Sequence, residues 1–214
     1  MEMILNYYKE SDKINTAIIA LHGWTGSEHS MVPVAKSMKV PNAKWYIPQA
    51  PYEASSGKGY TWFSGSPENG WKTKKTFNLM DKLFERIIDD GFLPNKIILL
   101  GFSMGASLAL RYGLKAGFTL KGIISIASVV RDINDLLNNS STESKHTPIL
   151  MIHGKKDSVV DYNESVHLAD ILKKNGFTSH LEVVEGGHII SIPSSKLIKE
   201  FIKTGNVANL QSAL

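Results

Sequence analysis

The chain has 214 residues, enough for one domain with a sizeable core and short for two. Its formal net charge is +4, with the lysines spread through helical stretches rather than gathered on one surface, which argues against nucleic acid as a partner. There is no cysteine, so disulfides, thiolate metal sites and a cysteine nucleophile are excluded.

The N-terminal MEMILNYYKESDK has an apolar run too short for a signal-peptide core, and Asn6, Lys9 and Glu10 interrupt it. No stretch approaches the roughly 20 apolar residues that span a bilayer. The expectation is a cytoplasmic protein with no stable membrane insertion. Ile4–Lys9 reads as a first strand. Thr16–Leu21 is a continuous apolar run, as a strand covered on both faces requires. Lys44–Pro48, Lys96–Leu100, Gly122–Ala127, Pro148–Ile152 and His180–Val184 repeat the type.

Helical patterns lie between these runs. In Trp71–Asp90 apolar residues recur every three or four positions, and Gly91 stops the pattern. Met104–Leu114 is rich in Ala and Leu, Tyr162–Asn175 ends at Gly176, and Ser194–Lys203 ends at Gly205. Strands alternating with helices predict an α/β fold with a mainly parallel sheet of about seven strands, helices on both faces, and a single domain over residues 1–214. Two stretches break the rhythm. Ala50–Gly70 is rich in Gly, Ser, Pro and aromatics and reads as a lid or pocket wall, and Arg131–His146 reads as a polar loop. Residues 206–214 read as a loosely held tail.

The chemistry concentrates in KIILLGFSMGASLAL. A buried strand runs into Gly101-Phe102-Ser103-Met104-Gly105, and a helix follows at once. This is G-x-S-x-G in a strand–turn–helix context, where a tight turn lifts a serine above the sheet as a nucleophile. Side chains at 101 and 105 would clash in such a turn, and Ser103 is expected in a strained backbone conformation. The helix behind it aims free N–H groups at a developing oxyanion.

A serine hydroxyl needs a base, and the base needs an orienting group. In strand–turn–helix sites of this kind the partners follow in the order acid, then histidine. PILMIHGKKDSVV places Asp157 just past a buried strand, and LEVVEGGHII places His188 just past the last one. The predicted catalytic residues are therefore Ser103, Asp157 and His188, gathered at the carboxyl edge of the sheet. His29, His146, His167 and His180 fall in polar or helical surroundings and read as surface residues. His153 also ends a strand and is expected to support the acid loop by a hydrogen bond. Asp161 reads as the cap of the helix starting at Tyr162. The oxyanion donors are expected to be the backbone N–H groups of Met104 and of Trp24, the latter in the turn His22-Gly23-Trp24 after an early strand.

The segments LHGWTGS, IPQAPYE, YTWFSG, GFSMGA, HGKKD and GGH together resemble the phospholipase/carboxylesterase family, which includes acyl-protein thioesterases and small bacterial carboxylesterases. The resemblance runs from about Ala17 to about Ile190. It implies the α/β-hydrolase fold, matches Ser103, Asp157 and His188 to the family's triad and Trp24 and Met104 to its oxyanion donors, and makes Ala50–Gly70 a wall or lid of an acyl pocket. Two positions depart from the family: Met104 stands where Gln is common after the nucleophile, and Ser64 stands where Asp often follows Trp-Phe.

The function expected is hydrolysis of a small-molecule ester or thioester through an acyl-enzyme, with no cofactor and no metal. Tyr52, Tyr60, Trp62 and Phe63 are expected to line the acyl pocket, or else to form a small core that anchors their loop. Apolar residues exposed near Ala50–Gly70 would favour a homodimer. The same triad also serves peptidases and dienelactone-type hydrolases, and a non-catalytic binding protein of the same fold is the remaining alternative.

Overall fold

The computed structural model describes residues 3–66, 69–208 and 210. Seven strands make one sheet: β1 (Leu5–Lys9), β2 (Thr16–Leu21), β3 (Ala43–Pro48) and, after four two- or three-residue strands, β8 (Ile97–Phe102), β9 (Gly122–Ile126), β10 (Ile149–Gly154) and β11 (Ser179–Val184). The short strands form two ribbons, β4 (Tyr52–Glu53) with β5 (Tyr60–Thr61), and β6 (Ser64–Ser66) with β7 (Gly70–Lys72). The order across the large sheet is β1-β3-β2-β8-β9-β10-β11. Within that sheet, among the described residues, only the β1–β3 pair is antiparallel.

Alternation along the central strands explains why their sequences read as unbroken apolar runs. Ala17, Ile19 and Leu21 of β2 face one core together with Ile97 and Leu99 of β8, while Ile18, Ala20, Ile98 and Leu100 face the other. The first core is covered by α2 (Lys74–Asp89), α3 (Met104–Lys115), α4 (Ile133–Asn138) and α5 (Tyr162–Lys174). The second is covered by α1 (Val32–Met38) and α6 (Ile192–Thr204). Both faces of each central strand must therefore be apolar.

Several local expectations are corrected. Trp71 does not open the long helix. It pairs with Gly65 in the β6–β7 ribbon, and the helix begins three residues later at Lys74. The polar stretch Arg131–His146 contains the short helix α4, whose N-terminus Asp132 caps by accepting the Asp135 N–H. The tail is not loose throughout: Val207 and Leu210 are buried in the second core, where two apolar side chains outweigh the polar composition around them. Residues 209 and 211–214 of that expected tail lie outside the described residues. Among the described residues no helix is long and apolar enough to cross a membrane.

Trp62 separates the two expectations for its segment: it is fully buried, as a small core that anchors the loop requires, and does not face an acyl pocket. Its indole N–H donates to the His22 carbonyl at 2.8 Å, and its ring lies 4.8 Å from the His22 ring. Its own carbonyl accepts the hydroxyl of Thr76 on α2. A large aromatic with a satisfied N–H is worth more as a keystone between loop and helix than as a pocket wall. Trp62→Ala is expected to lower unfolding free energy by about 3–5 kcal/mol, read by urea denaturation.

Candidate active site

The turn after β8 is as crowded as its glycines imply. A Cβ at Gly101 would come within 2.2 Å of the Gly105 carbonyl oxygen, and a Cβ at Gly105 within 2.2 Å of the Leu21 carbonyl oxygen. Ser103 sits at the N-cap of α3 with φ 54° and ψ −118°, a left-handed conformation that costs a non-glycine residue about 1–3 kcal/mol. Its N–H donates to the carbonyl of Ile126 on β9 at 2.8 Å, which holds the strained residue against the sheet.

Three loops at the carboxyl ends of β8, β10 and β11 converge there. The Ser103 Oγ lies 3.0 Å from His188 Nε2, and His188 Nδ1 lies 2.7 Å from Asp157 Oδ2. An ionised carboxylate only accepts, so the imidazole proton sits on Nδ1 and the Nε2 lone pair receives the serine hydroxyl. The Phe102 ring packs 4.9 Å from the His188 ring and fixes its other side.

Asp157 is completely enclosed, and both of its oxygens are used. Oδ1 accepts the N–H groups of Val159 at 2.8 Å and Val160 at 3.0 Å. Oδ2 takes His188 and also lies 3.2 Å from Nε2 of the buried His153. His153 Nε2 meets two acceptors, Asp157 Oδ2 and, at 3.1 Å, the Val160 carbonyl, so it carries a proton, while its Nδ1 accepts from the Ser165 hydroxyl at 2.7 Å. His153 is thus placed behind the acid loop, on β10 and against α5. Asp161 caps α5 by accepting the Asn163 N–H at 3.0 Å. Burial pushes the Asp157 carboxyl up. The Val160 N–H, the His188 ring and the Val159 N–H together outweigh that and hold it below its ordinary value of 3.8.

Gly154, the glycine of HGKKD, lets the acid and histidine loops meet. A Cβ there would lie 2.5 Å from the carbonyl oxygens of both Gly186 and Gly187. The loops are then laced by Lys155 N–H to the Val184 carbonyl at 2.9 Å and Lys156 N–H to the Gly186 carbonyl at 2.8 Å. Gly154 leaves its trace in the sequence as the glycine of that segment, where the strand passes into a turn closed by the Asp157 N–H on the Gly154 carbonyl at 3.1 Å.

The turn after β2 approaches the same place, with a Cβ at Gly23 3.5 Å from the Ser103 Cβ. Among the described residues neither the Trp24 nor the Met104 N–H makes a hydrogen bond. His22, buried in this turn, was passed over in the sequence. Its Nδ1–H donates to the Gly23 carbonyl at 2.7 Å and its Nε2 accepts the Ala50 N–H at 3.1 Å, tying the turn to the start of the 50–70 segment. Burial lowers the proton affinity of His22, which keeps the ring in the neutral form these two bonds require. That segment is pinned further by the Tyr60 N–H on the Gly26 carbonyl at 2.9 Å, and the Thr61 hydroxyl, which donates to the Phe63 carbonyl at 3.0 Å, also touches the Met104 sulfur at 3.0 Å. Tyr52, Tyr60 and Phe63 are partly open, Trp62 is not. Of the remaining histidines, His29, His146 and His167 lie exposed and His180 is partly covered, none of them beside Ser103.

A mainly parallel sheet of this order, with a strained serine after β8 and an acid and a histidine after β10 and β11, is the α/β-hydrolase fold. A profile of the phospholipase/carboxylesterase family matches residues 6–206, and the chain belongs to that family. It is 30% identical over 189 residues to acyl-protein thioesterase 1 of Cryptococcus neoformans, covering 80% of this chain and 79% of that one. It is 28% identical over 204 residues to carboxylesterase SOBER1 of Arabidopsis thaliana, covering 88% and 90%. The crystal structure of SOBER1 superposes with a TM-score of 0.78 at 26% identity, over 89% of this chain and 98% of that one. That of esterase PE8 superposes with a TM-score of 0.84 at 23% identity over 95% and 99%, a likeness of fold.

The lowered proton affinity of Asp157 fixes a sign. A carboxylate held below its unfolded value contributes stability above that value and loses it as pH falls through the folded one. The destabilisation caused by Asp157→Asn, read by urea unfolding, is therefore expected to be larger at pH 7 than at pH 3. An equal loss at both would mean that the carboxylate is not held in its charged form.

Proposed function

We propose that the protein is a serine hydrolase of carboxylic esters or thioesters, working through an acyl-enzyme on Ser103. The observation that carries this reading is the continuous relay from the strained Ser103 through His188 to the enclosed Asp157. His188 Nε2 takes the proton of the Ser103 hydroxyl as its Oγ attacks the substrate carbonyl. Charge gathers on the carbonyl oxygen, where the N–H groups of Trp24 and Met104 receive it; that of Met104 also lies at the positive end of α3. The tetrahedral centre collapses, the bond to the alcohol or thiol breaks, and the leaving group departs with the proton from His188. A water, deprotonated by the same imidazole, then attacks the acyl carbon, and Ser103 regains its proton as the acid leaves.

Substrate class follows from what borders this relay. Trp24, Val159 and Ile189 are exposed apolar side chains on the three loops that carry the oxyanion turn, the acid and the base. Tyr52, Tyr60 and Phe63 present partly open aromatic surface on the pinned segment beside Met104. Such surroundings suit a small or medium acyl chain better than a charged one. The names of two relatives, a thioesterase and a carboxylesterase, agree with an acyl substrate.

A fluorophosphonate is expected to label wild-type protein at Ser103, mapped by mass spectrometry, and not to label Ser103→Ala, whose esterase turnover falls by about 10⁴-fold or more. Failure to label correctly folded wild type would overturn the enzyme reading. Phe63→Ala is expected to lower kcat/KM for p-nitrophenyl decanoate by about tenfold, since one aromatic wall of a pocket is worth on the order of 1–3 kcal/mol. The acetate ester should be nearly unaffected, and equal losses for both esters would make Phe63 a packing residue instead.

A further inference from the structure

A second concave site lies at the opposite edge of the sheet. Thr16 opens β2, Lys96 precedes β8, Lys121 precedes β9 and Pro148 precedes β10, while Lys203, Thr204 and Gly205 end α6. Together they border a cavity of about 510 Å³. The strands are parallel, so these are their amino ends, and at about 3.3 Å per residue the six residues of β8 set the cavity on the order of 20 Å from Ser103.

The chemistry of this lining is one-sided. It contains Lys96, Lys121, Lys203 and His146 and no carboxylate. Among the described residues none of these four makes an ion pair. Lys121 is the most enclosed. Its Nζ donates to the Thr16 hydroxyl at 2.8 Å, and that hydroxyl passes its own proton to Asn15 Oδ1 at 3.0 Å, so the ammonium is held in place by a neutral group alone. Burial, and then the charge of Lys96, make Lys121 a poorer base than an ordinary lysine. Thr119 and Asn95 add further polar groups to the rim.

Another large cavity, between α2, α3 and α4, is lined by both signs of charge, with Lys74, Arg111 and Lys115 beside Asp81 and Asp135. There Arg111 pairs with Asp135, and the Tyr112 hydroxyl donates to Asp81 at 2.9 Å. Nothing comparable answers the cations at the amino edge of the sheet.

We propose that this basic cavity binds a small polyanion of the phosphate or phosphate-ester class, apart from the hydrolytic site. Phosphate oxygens accept from several ammonium and hydroxyl groups at once, and each ammonium gains a counter-charge that the protein does not supply. Only Leu120 and Pro148 are apolar in the lining, which disfavours an acyl chain there. A ligand at this edge does not reach Ser103, so its binding and ester turnover are separable.

Inorganic pyrophosphate titrated calorimetrically into the full chain at constant ionic strength is expected to bind saturably at one site. Lys121→Met and Lys203→Glu should each weaken that affinity by about tenfold or more, while turnover of p-nitrophenyl acetate stays at the wild-type level. Lys203 is exposed, so its variant tests the site without burdening the fold. No saturable heat up to about 10 mM would overturn the proposal, since binding weaker than that has no meaning at cellular concentrations. Saturable binding that both variants retain would place the anion elsewhere. Co-sedimentation with phosphatidylglycerol vesicles that Lys203→Glu abolishes, with no heat from pyrophosphate, would replace the cavity by a membrane-facing patch.

Discussion

A buried carboxylate has to be answered on every lone pair, and the enclosure of Asp157 sets the terms for the carboxyl edge of the sheet. Taking an ionised group out of water costs several kcal/mol unless donors replace the lost hydration. Three donors do so here, two backbone N–H groups of its own loop and His188 from the loop after β11, and beside them stands the ring of His153 on β10, 3.2 Å from the oxygen that takes His188. That ring is anchored in turn by Ser165 on α5. The acid loop, the histidine loop, a strand and a helix are therefore positioned relative to one another by a single charge. Gly154 belongs to the same arrangement, because a side chain there would part the two loops and leave the carboxylate open to water.

The serine turn obeys a steric constraint in place of an electrostatic one. Gly101 and Gly105 are needed because backbone oxygens occupy the space a Cβ would fill, and Leu21, which supplies one of them, belongs to the strand leading into the His22-Gly23-Trp24 turn. The turn that offers the Trp24 N–H and the turn that holds Ser103 are thus fitted against each other through bare backbone. His22 extends the fit to Ala50, and Trp62 extends it to α2. The 50–70 segment is consequently held at Ala50, Tyr60 and Trp62. The thioether of Met104, in contact with the Thr61 hydroxyl, joins it to the helix behind the serine.

These physical obligations explain which features were legible in the sequence. The central strands could be read because both faces are buried, and the serine, acid and histidine because each follows such a strand in a fixed order. The helix Val32–Met38 left no period, since only Ala35 and Met38 are buried among its seven residues. The helix Ile133–Asn138 was hidden in a polar stretch because it buries Leu136 alone. Trp62 left two readings open because an aromatic in a Gly- and Ser-rich loop looks the same whether it faces a ligand or the core. Its partners, a carbonyl at His22 and a hydroxyl at Thr76, lie 40 and 14 residues away and are visible only once the chain is folded. His22 and Gly154 were missed for the same reason, since their neighbours come from distant loops.

The two edges of the sheet carry opposite solutions to the problem of charge. At the carboxyl edge a single negative group is enclosed and answered from within the chain, so the site is complete before any substrate arrives. At the amino edge three lysines and a histidine border one cavity with no acidic side chain among them, and the most enclosed ammonium rests on a threonine hydroxyl. Like charges held together raise the free energy of the folded state, and nothing in the packing of this edge requires them to be gathered here. The C-terminal carbonyls of α6 answer these charges only in part, because the Gly205 N–H already closes one of them, that of Phe201. The imbalance lies in the side chains, and it is resolved when an anion from solution occupies the cavity.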